Sequence, residues 1–326
     1  MNPAMDSANP VILVADIGAT NSRFALFRAG EGQGLESEVI LATAGHDSFI
    51  QVLESLRAKL PMPPGRADLA VLAVAGPVLS GTFCQPPNMT YAVDLAGLPS
   101  GLLPAKSVLI NDFTAQALGC RSLRPDELQA VLAGDMDKSL TQAVIGAGSG
   151  LGKAGLIPDG QGGVRVSPSE GGHAAFPFAD RQEWAFMDFA LKTTGEPYAR
   201  WETVVSGSGL ALMHAFHTGE RVSTAEAAAE LNENSPVAAW FARFYGRACR
   251  DWALATVATG GVYVSGGVAA KNPILVTHPA FAQEFRRSIT HARLLGAIAV
   301  SLVRDESVVL KGAAAHGLSL LKVGRA

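Results

Sequence analysis

The feature that most narrows the fold is a short apolar strand that runs into a glycine-bearing turn and then into a second strand. It occurs twice, near residues 11–28 and 143–157. Residues 11–17 read as a buried strand, Gly18 and Asn21 mark a turn, and 22–28 with 36–43 continue as antiparallel strands. The second copy runs from 143–145 through Gly146-Ala-Gly148-Ser-Gly150-Leu-Gly152 into 154–157. A repeated strand, turn and strand predicts two related α/β halves, and 326 residues leave apolar material for a core in each. A cleft between the halves follows as an expectation.

Phe49, Leu53, Leu56 and Leu60 share one face at helical spacing, and Pro61, Pro63, Pro64 and Gly65 stop that helix before the apolar run 69–74. A further run, 107–110, leads to Asn111-Asp112 and a helical stretch over 113–118. The Asn-Asp pair therefore falls at the carboxyl end of a strand, where α/β sheets bind ligands. A short helical segment is expected near 126–132. From Asp180 onward the chain turns helical, with one long helix over about 236–259 and a short strand, 262–265, before Gly266-Gly267. Residues 1–9 read as a tail.

Charge excludes some partners. The balance of 26 Lys and Arg against 29 Asp and Glu gives −3, with no block of five or six like charges. Neither nucleic acid nor a membrane surface is an expected partner. The uncharged apolar stretches near 253–264 and 294–303 are shorter than the roughly 18 to 20 residues a membrane span needs. No basic segment followed by an apolar run opens the chain, so no secretory leader is expected. Cys84, Cys120 and Cys249 lie far apart without CxxC spacing, which suits a reducing cytoplasm. His214 and His217, three apart with no carboxylate or cysteine to complete a site nearby, read as a solvated helix face and not as a metal site.

A phosphate chain needs inward-facing backbone N–H groups with no side chains in the way, and Gly148-Ser149-Gly150 can supply them. A tight hairpin with positive φ at one glycine explains the same residues equally well. The P-loop spacing fails, because Ala147 and Ala154 stand where Gly and Ser or Thr are required around Gly152-Lys153. The dinucleotide fingerprint fails too, since the turn leads to a strand and the sixth position from Gly146 or Gly148 is Leu151 or Lys153. Asp16-Ile-Gly18-Ala-Thr20-Asn21 adds a carboxylate, a hydroxyl and an amide that suit hydrated Mg²⁺ and phosphate oxygens, with an Asx-type turn as the alternative. For Asp112 the alternative is a helix N-cap.

Asp16-Ile-Gly-Ala-Thr-Asn21, Ile110-Asn-Asp-Phe-Thr-Ala115, Gly146-Ala-Gly-Ser-Gly-Leu-Gly152, Glu170-Gly-Gly-His173 and Ser265-Gly-Gly267, in this order, closely resemble the bacterial glucokinase family of the sugar kinase and actin superfamily. The likeness spans nearly the whole chain. It implies a two-domain actin-like ATPase (ribonuclease H-like) α/β fold with an interdomain cleft, residues 1–122 plus 313–326 forming a small domain and 123–312 a large one. It implies ATP-dependent phosphorylation of glucose to glucose 6-phosphate by a cytoplasmic homodimer, with ATP and Mg²⁺ as cofactors.

By the same resemblance, Asp112 matches the general base that takes the proton of the sugar 6-hydroxyl, and Asn111, Asp112, Glu170, His173 and Glu202 match the sugar ligands. Ala15, Asp16, Ile17, Gly18, Ala19, Thr20 and Asn21 match one ATP-binding segment, Gly148, Ser149 and Gly150 a second, and Gly266 and Gly267 the adenosine turn. Mg²⁺ is carried mainly by ATP, with Asp16 as the protein group near it. Leu310-Lys-Gly-Ala-Ala-Ala315 matches a last connecting segment whose small residues let the final helix pack closely on the first domain. The sequence departs from the family at Ala19, where a second glycine is usual, and at Ser149, where threonine is common. The related repressor and kinase group with a zinc-binding cysteine cluster is excluded, because no cysteine follows His173 until Cys249. The alternatives are a kinase for another hexose, or a sugar- and nucleotide-binding regulator with little turnover.

Overall fold

The computed structural model describes residues 9–30, 33–134 and 136–323, so the tail expected over 1–9 lies outside it apart from Asn9. The chain divides into two compact units, one formed by residues up to Ser122 with those from Ser307, the other by Leu123–Glu306.

In the first unit β1 (Val11–Ile17), β2 (Asn21–Arg28) and β3 (Gly34–Ala42) form an antiparallel meander. After α1 (Phe49–Arg57), β4 (Leu69–Val74) pairs parallel with β1. A short hairpin of β5 (Phe83–Cys84) and β6 (Val93–Asp94) precedes β7 (Ser107–Asn111), which pairs parallel with β4 and leads into α2 (Asp112–Ser122). The sheet order is β3-β2-β1-β4-β7. Leu13, Ala15 and Ile17 of β1 join Phe49, Val52, Leu53 and Leu56 of α1 in one core. Ile12 and Val14 join Ala115 of α2 and Leu310, Ala313 and Ala314 of the C-terminal helix, Val308–Val323, in another. Helices thus cover both faces, which explains why the run 11–17 is apolar at nearly every position and not only at alternate ones.

The C-terminal helix and α2 approach at backbone distance. A Cβ on Gly312 would lie 1.7 Å from the Ala115 carbonyl oxygen, and one on Gly119 1.8 Å from that of Val308. Because the helix packs on α2 from its first turn, the contacts assign the segment to the first unit from Ser307, ahead of residue 313.

The second unit repeats the plan. Its strands are β8 (Leu128–Leu132), β9 (Gln142–Ala147), β10 (Leu151–Pro158), β11 (Val164–Ser169), β12 (Val262–Ser265) and β13 (Val300–Val303). In the order β11-β10-β9-β12-β13-β8 the first five strands match the first sheet, an antiparallel trio followed by two parallel neighbours. Two such sheets are the signature of the actin-like ATPase fold. The helices are α3 (Arg181–Thr194), α4 (Trp201–Val204), α5 (Gly207–Thr218), α6 (Thr224–Ala229), α7 (Pro236–Thr256), α8 (Gly267–Lys271), α9 (Ile274–Thr277), α10 (Pro279–Phe285) and α11 (Ala292–Ala297). Phe241, Phe244, Tyr245 and Ala248 carry α7 into the core.

The helix expected near 126–132 is not formed. Pro125–Glu127 makes one 3-10 turn, and the following residues pair antiparallel with β13 as β8. Pro125 followed by two acids imitates a helix start, but the free edge of β13 satisfies the backbone of β8 instead. No helix among the described residues is long and apolar enough to cross a membrane.

The glycine contact between α2 and the C-terminal helix gives a stability prediction. Gly312→Ala should destabilise the protein by at least about 2 kcal/mol in urea unfolding through overpacking. Gly296→Ala, in α11 where nothing lies within 4 Å, should leave stability unchanged or raise it. Equal stability of Gly312→Ala and wild type would refute the close crossing.

Candidate functional site

In the first unit Ile17 lies beside Val74, and Val74 beside Asn111. The turn after β1, Ala75-Gly76 and Asp112 therefore leave the sheet along one edge, at the carboxyl ends of three parallel strands. Asn111 ties this edge together: its Nδ2 donates to the Gly76 carbonyl (3.1 Å) and its Oδ1 accepts from the Thr114 N–H (3.1 Å). Asn111, and not Asp112, is thus the residue that caps α2. Asp112 Oδ1 accepts from the Phe113 N–H at 2.8 Å, which orients its carboxylate. Burial and then the Asp112 charge push the Cys84 thiol pKa up.

The turn after β1 closes by a Gly18 N–H donated to the Asn21 carbonyl at 3.1 Å. A Cβ on Gly18 would meet that same oxygen at 3.0 Å, so close approach explains this glycine. The Thr20 carbonyl accepts from the Thr43 N–H at 2.8 Å. Ala15 and Ile17 are packed in the core, which leaves Asp16 and residues 18–21 to face a ligand. Burial raises the Asp16 carboxyl to about 6, and Arg23, its partner across the hairpin, pulls it back only in part. Such a carboxyl favours a cation beside it. Among the described residues no group of three His, Cys, Asp or Glu could hold a metal ion. Asp16 is the carboxylate of this turn that a hydrated Mg²⁺ on a phosphate chain could approach.

In the second unit the turn between β9 and β10 is closed by a Gly148 N–H donated to the Gly150 carbonyl at 2.9 Å. The turn is a tight hairpin, but neither Gly148 nor Gly150 has positive φ, so that is not what requires these glycines. The Gly148 carbonyl accepts from the Gly207 N–H at the start of α5 (2.8 Å). A Cβ on Gly150 would lie 2.7 Å from Glu202 Oε2, and one on Gly172 1.9 Å from the Leu151 carbonyl oxygen. The turn thus touches both Glu202 and the loop of Glu170 and His173, far apart in sequence.

Those side chains meet. His173 Nδ1 lies 3.2 Å from Glu202 Oε1 and 3.1 Å from Arg200 Nη1, and Arg200 Nη1 also donates to Glu202. Glu170 Oε2 is 3.7 Å from His173 Nε2. Glu202 is mostly covered, its side chain 18% exposed, whereas Glu170 and His173 are open at 61% and 55%. Glu202 lies in the first turn of α4, but it is directed at Arg200, His173 and the glycine turn. Arg200 was not evident from the sequence. It is held by Glu196 at 2.5 Å, and Glu196 accepts from the Thr203 hydroxyl at 2.6 Å. The only hint was its position two residues before Glu202.

Gly266 has φ of +89°, and a Cβ there would lie 2.5 Å from the Ala147 carbonyl oxygen. Close packing therefore explains this glycine, and it seats Gly267 next to the β9 turn. A cavity of about 340 Å³ opens beside these groups, lined by Ser149, Arg200, Glu202, Ser208 and Arg221 among others. Ser208 and Arg221 carry no sequence signal of their own. The histidine pair differs from expectation: His214 is buried, its Nε2 lies 2.8 Å from Glu230 Oε2, and His217 packs edge-on against Trp240. Glu230 is sixteen residues away along the chain, beyond the reach of helical spacing.

The chain is similar to known proteins over most of its length. The family model described as Glucokinase matches residues 13–319. A glucokinase of Synechocystis sp. is 30% identical over 342 residues, covering 93% of this chain and 96% of the relative. One of Pseudomonas paraeruginosa is 32% identical over 284 residues, covering 83% and 81%. The crystal structure of a glucokinase from an Antarctic psychrotroph superposes with a TM-score of 0.78 at 28% identity, covering 94% of this chain and 98% of that one.

The raised pKa of Asp16 sets a pH test. Its protonated form is the one the fold favours, so its contribution is complete below about 3.8 and is lost as pH rises through about 6. At pH 8 the ionised carboxylate costs at most about 3 kcal/mol. Asp16→Asn should therefore gain melting temperature relative to wild type on going from pH 4 to pH 8. A difference independent of pH would show that burial does not act on Asp16.

Proposed function

The chain belongs to the glucokinase family and is an ATP-dependent glucose kinase, and from that premise we propose that Asp112 is the general base of the transfer. As the sugar 6-oxygen attacks the γ-phosphorus, a new O–P bond forms and the bond to the bridging oxygen breaks. ADP leaves, and the hydroxyl proton passes to the Asp112 carboxylate. The Phe113 N–H on Asp112 Oδ1 and the Asn111 bonds to Thr114 and Gly76 support this role, because the first orients the carboxylate and the others fix the backbone that carries it at the end of β7.

Asn111, Asp112, Glu170, His173 and Glu202 bind the sugar hydroxyls in this reading, and Arg200 joins them as a donor. The set combines acceptors with donors, and a missing or inverted hydroxyl leaves one of them unpaired at a cost of about 1–3 kcal/mol. Gly148, Ser149 and Gly150 bind the phosphate chain through backbone N–H groups, Asp16, Gly18, Ala19, Thr20 and Asn21 serve the same end of the nucleotide, and Gly266 with Gly267 receives the adenosine. Mg²⁺ bound to ATP supplies positive charge to the phosphate oxygens, with Asp16 as the chain's own carboxylate near it. The observation that carries the reading is the approach of Gly150 to Glu202, which joins the phosphate turn to the sugar ligands. A homodimer acting in the cytoplasm rests on the family resemblance, and independence of nucleic acid and membranes on the charge balance.

Asp112→Ala tests the base directly. Its kcat in a coupled glucose 6-phosphate assay should fall by about 10²-fold or more, as expected for loss of a general base, while glucose affinity by calorimetry weakens by no more than about tenfold, the scale of one lost hydroxyl contact. Surviving turnover would remove Asp112 from the role. Glucose binding by the wild type without turnover would make the protein a sensor, and preference for mannose or fructose would change the substrate.

A further inference from the structure

Lys153 enters the sequence reading only as the lysine of a phosphate motif that fails. In the structure it is a buried cation, 4% exposed, on the strand that leaves the glycine turn. Across the ladder it pairs with Ser169, one residue before Glu170. Its Nζ donates to the Gly171 carbonyl at 3.4 Å, inside the loop that carries Glu170 and His173. The same Nζ lies 4.5 Å from the ring centroid of Trp201, the residue before Glu202, and 5.9 Å from that of Trp252. Trp252 is itself fixed by donating its indole N–H to the Ala154 carbonyl at 3.0 Å. One ammonium therefore touches both segments from which the sugar ligands project.

A buried lysine is costly unless its charge has partners. Here burial lowers its pKa to about 8, with Asp251 and Cys249 of α7 pulling it back up, so the ammonium is the main form at neutral pH. An apolar residue would fill this space at lower cost to the fold. The backbone already pairs the two segments on their other side, through Trp201 N–H to the Ala174 carbonyl (3.0 Å) and Phe176 N–H to the Ala199 carbonyl (2.9 Å). What the ammonium adds is a directional hold on the Gly171 peptide and on the Trp201 ring.

We infer that Lys153 is a positioning residue for the sugar site: its ammonium, seated on the Trp201 ring and bonded to the Gly171 carbonyl, fixes Glu170 and His173 against Glu202. The inference rests on the reading that these three residues bind glucose. Lys153 touches no substrate, so its effect falls on glucose affinity and not on the chemical step.

The test compares the full-length Lys153→Met and Glu170→Gln variants with wild type in the coupled assay, with melting temperatures measured alongside. Methionine keeps the length and apolar packing on the two tryptophans and removes the charge, so Lys153→Met should melt no lower than wild type. Its KM for glucose should rise about fivefold to tenfold, the scale of one lost cation–π contact and hydrogen bond, with kcat and the KM for ATP within about twofold. An unchanged KM for glucose overturns the inference, and so does a parallel fall of kcat and melting temperature, which would mean a general structural role. If Glu170→Gln leaves glucose affinity unchanged, the sugar-site reading itself fails. If Glu170→Gln weakens glucose and Lys153→Met does not, only the inference about Lys153 fails.

Discussion

Backbone contact between β10 and the Glu170–His173 loop is the constraint on which the second unit's chemistry depends. Gly172 presses on the Leu151 carbonyl so closely that a Cβ would stand 1.9 Å from it, and Gly150, one residue before Leu151, would bring a Cβ to 2.7 Å from the carboxylate end of Glu202. A side chain at residue 172 would push the 170–173 loop off β10, and one at residue 150 would displace the Glu202 carboxylate. Phosphoryl transfer asks a protein mainly for alignment and for charge at the right place, so a close backbone contact between the segments proposed to bind phosphate and sugar is suited to it.

The first unit solves a related problem by another route. There the carboxylate proposed as general base is oriented by a local bond at the end of a strand, and the sheet behind it is covered by helices on both faces. The close crossing of α2 with the C-terminal helix at Gly119 and Gly312 anchors the helix whose first residue is Asp112. The residue proposed to accept the proton is thus mounted at the start of a helix held by a close helix crossing and not on a loop.

Much of this was legible in the sequence because it depends on short-range patterns. The repeated strand, glycine turn and strand, the Asn-Asp pair after an apolar run, and the glycine-flanked Glu170 and His173 are all local. Residues fixed by distant partners were not legible. Arg200 gains its meaning from His173 and Glu202, Lys153 from Gly171 and Trp201, and His214 from Glu230 on another element. The segment 128–132 follows a helix-start signal at Pro125–Glu127 that pairing with β13 overrode. The glycines at 18, 172 and 266 announced turns, but their reason is steric closeness to Asn21, Leu151 and Ala147, which no spacing rule contains.

The claim that phosphate turn and sugar ligands form a single working site is tested most directly by stoichiometry. ADP and glucose 6-phosphate are measured together on the purified protein with MgATP, with and without glucose. The account predicts equal amounts of both products and little ADP without sugar. ADP release that ignores glucose would contradict it.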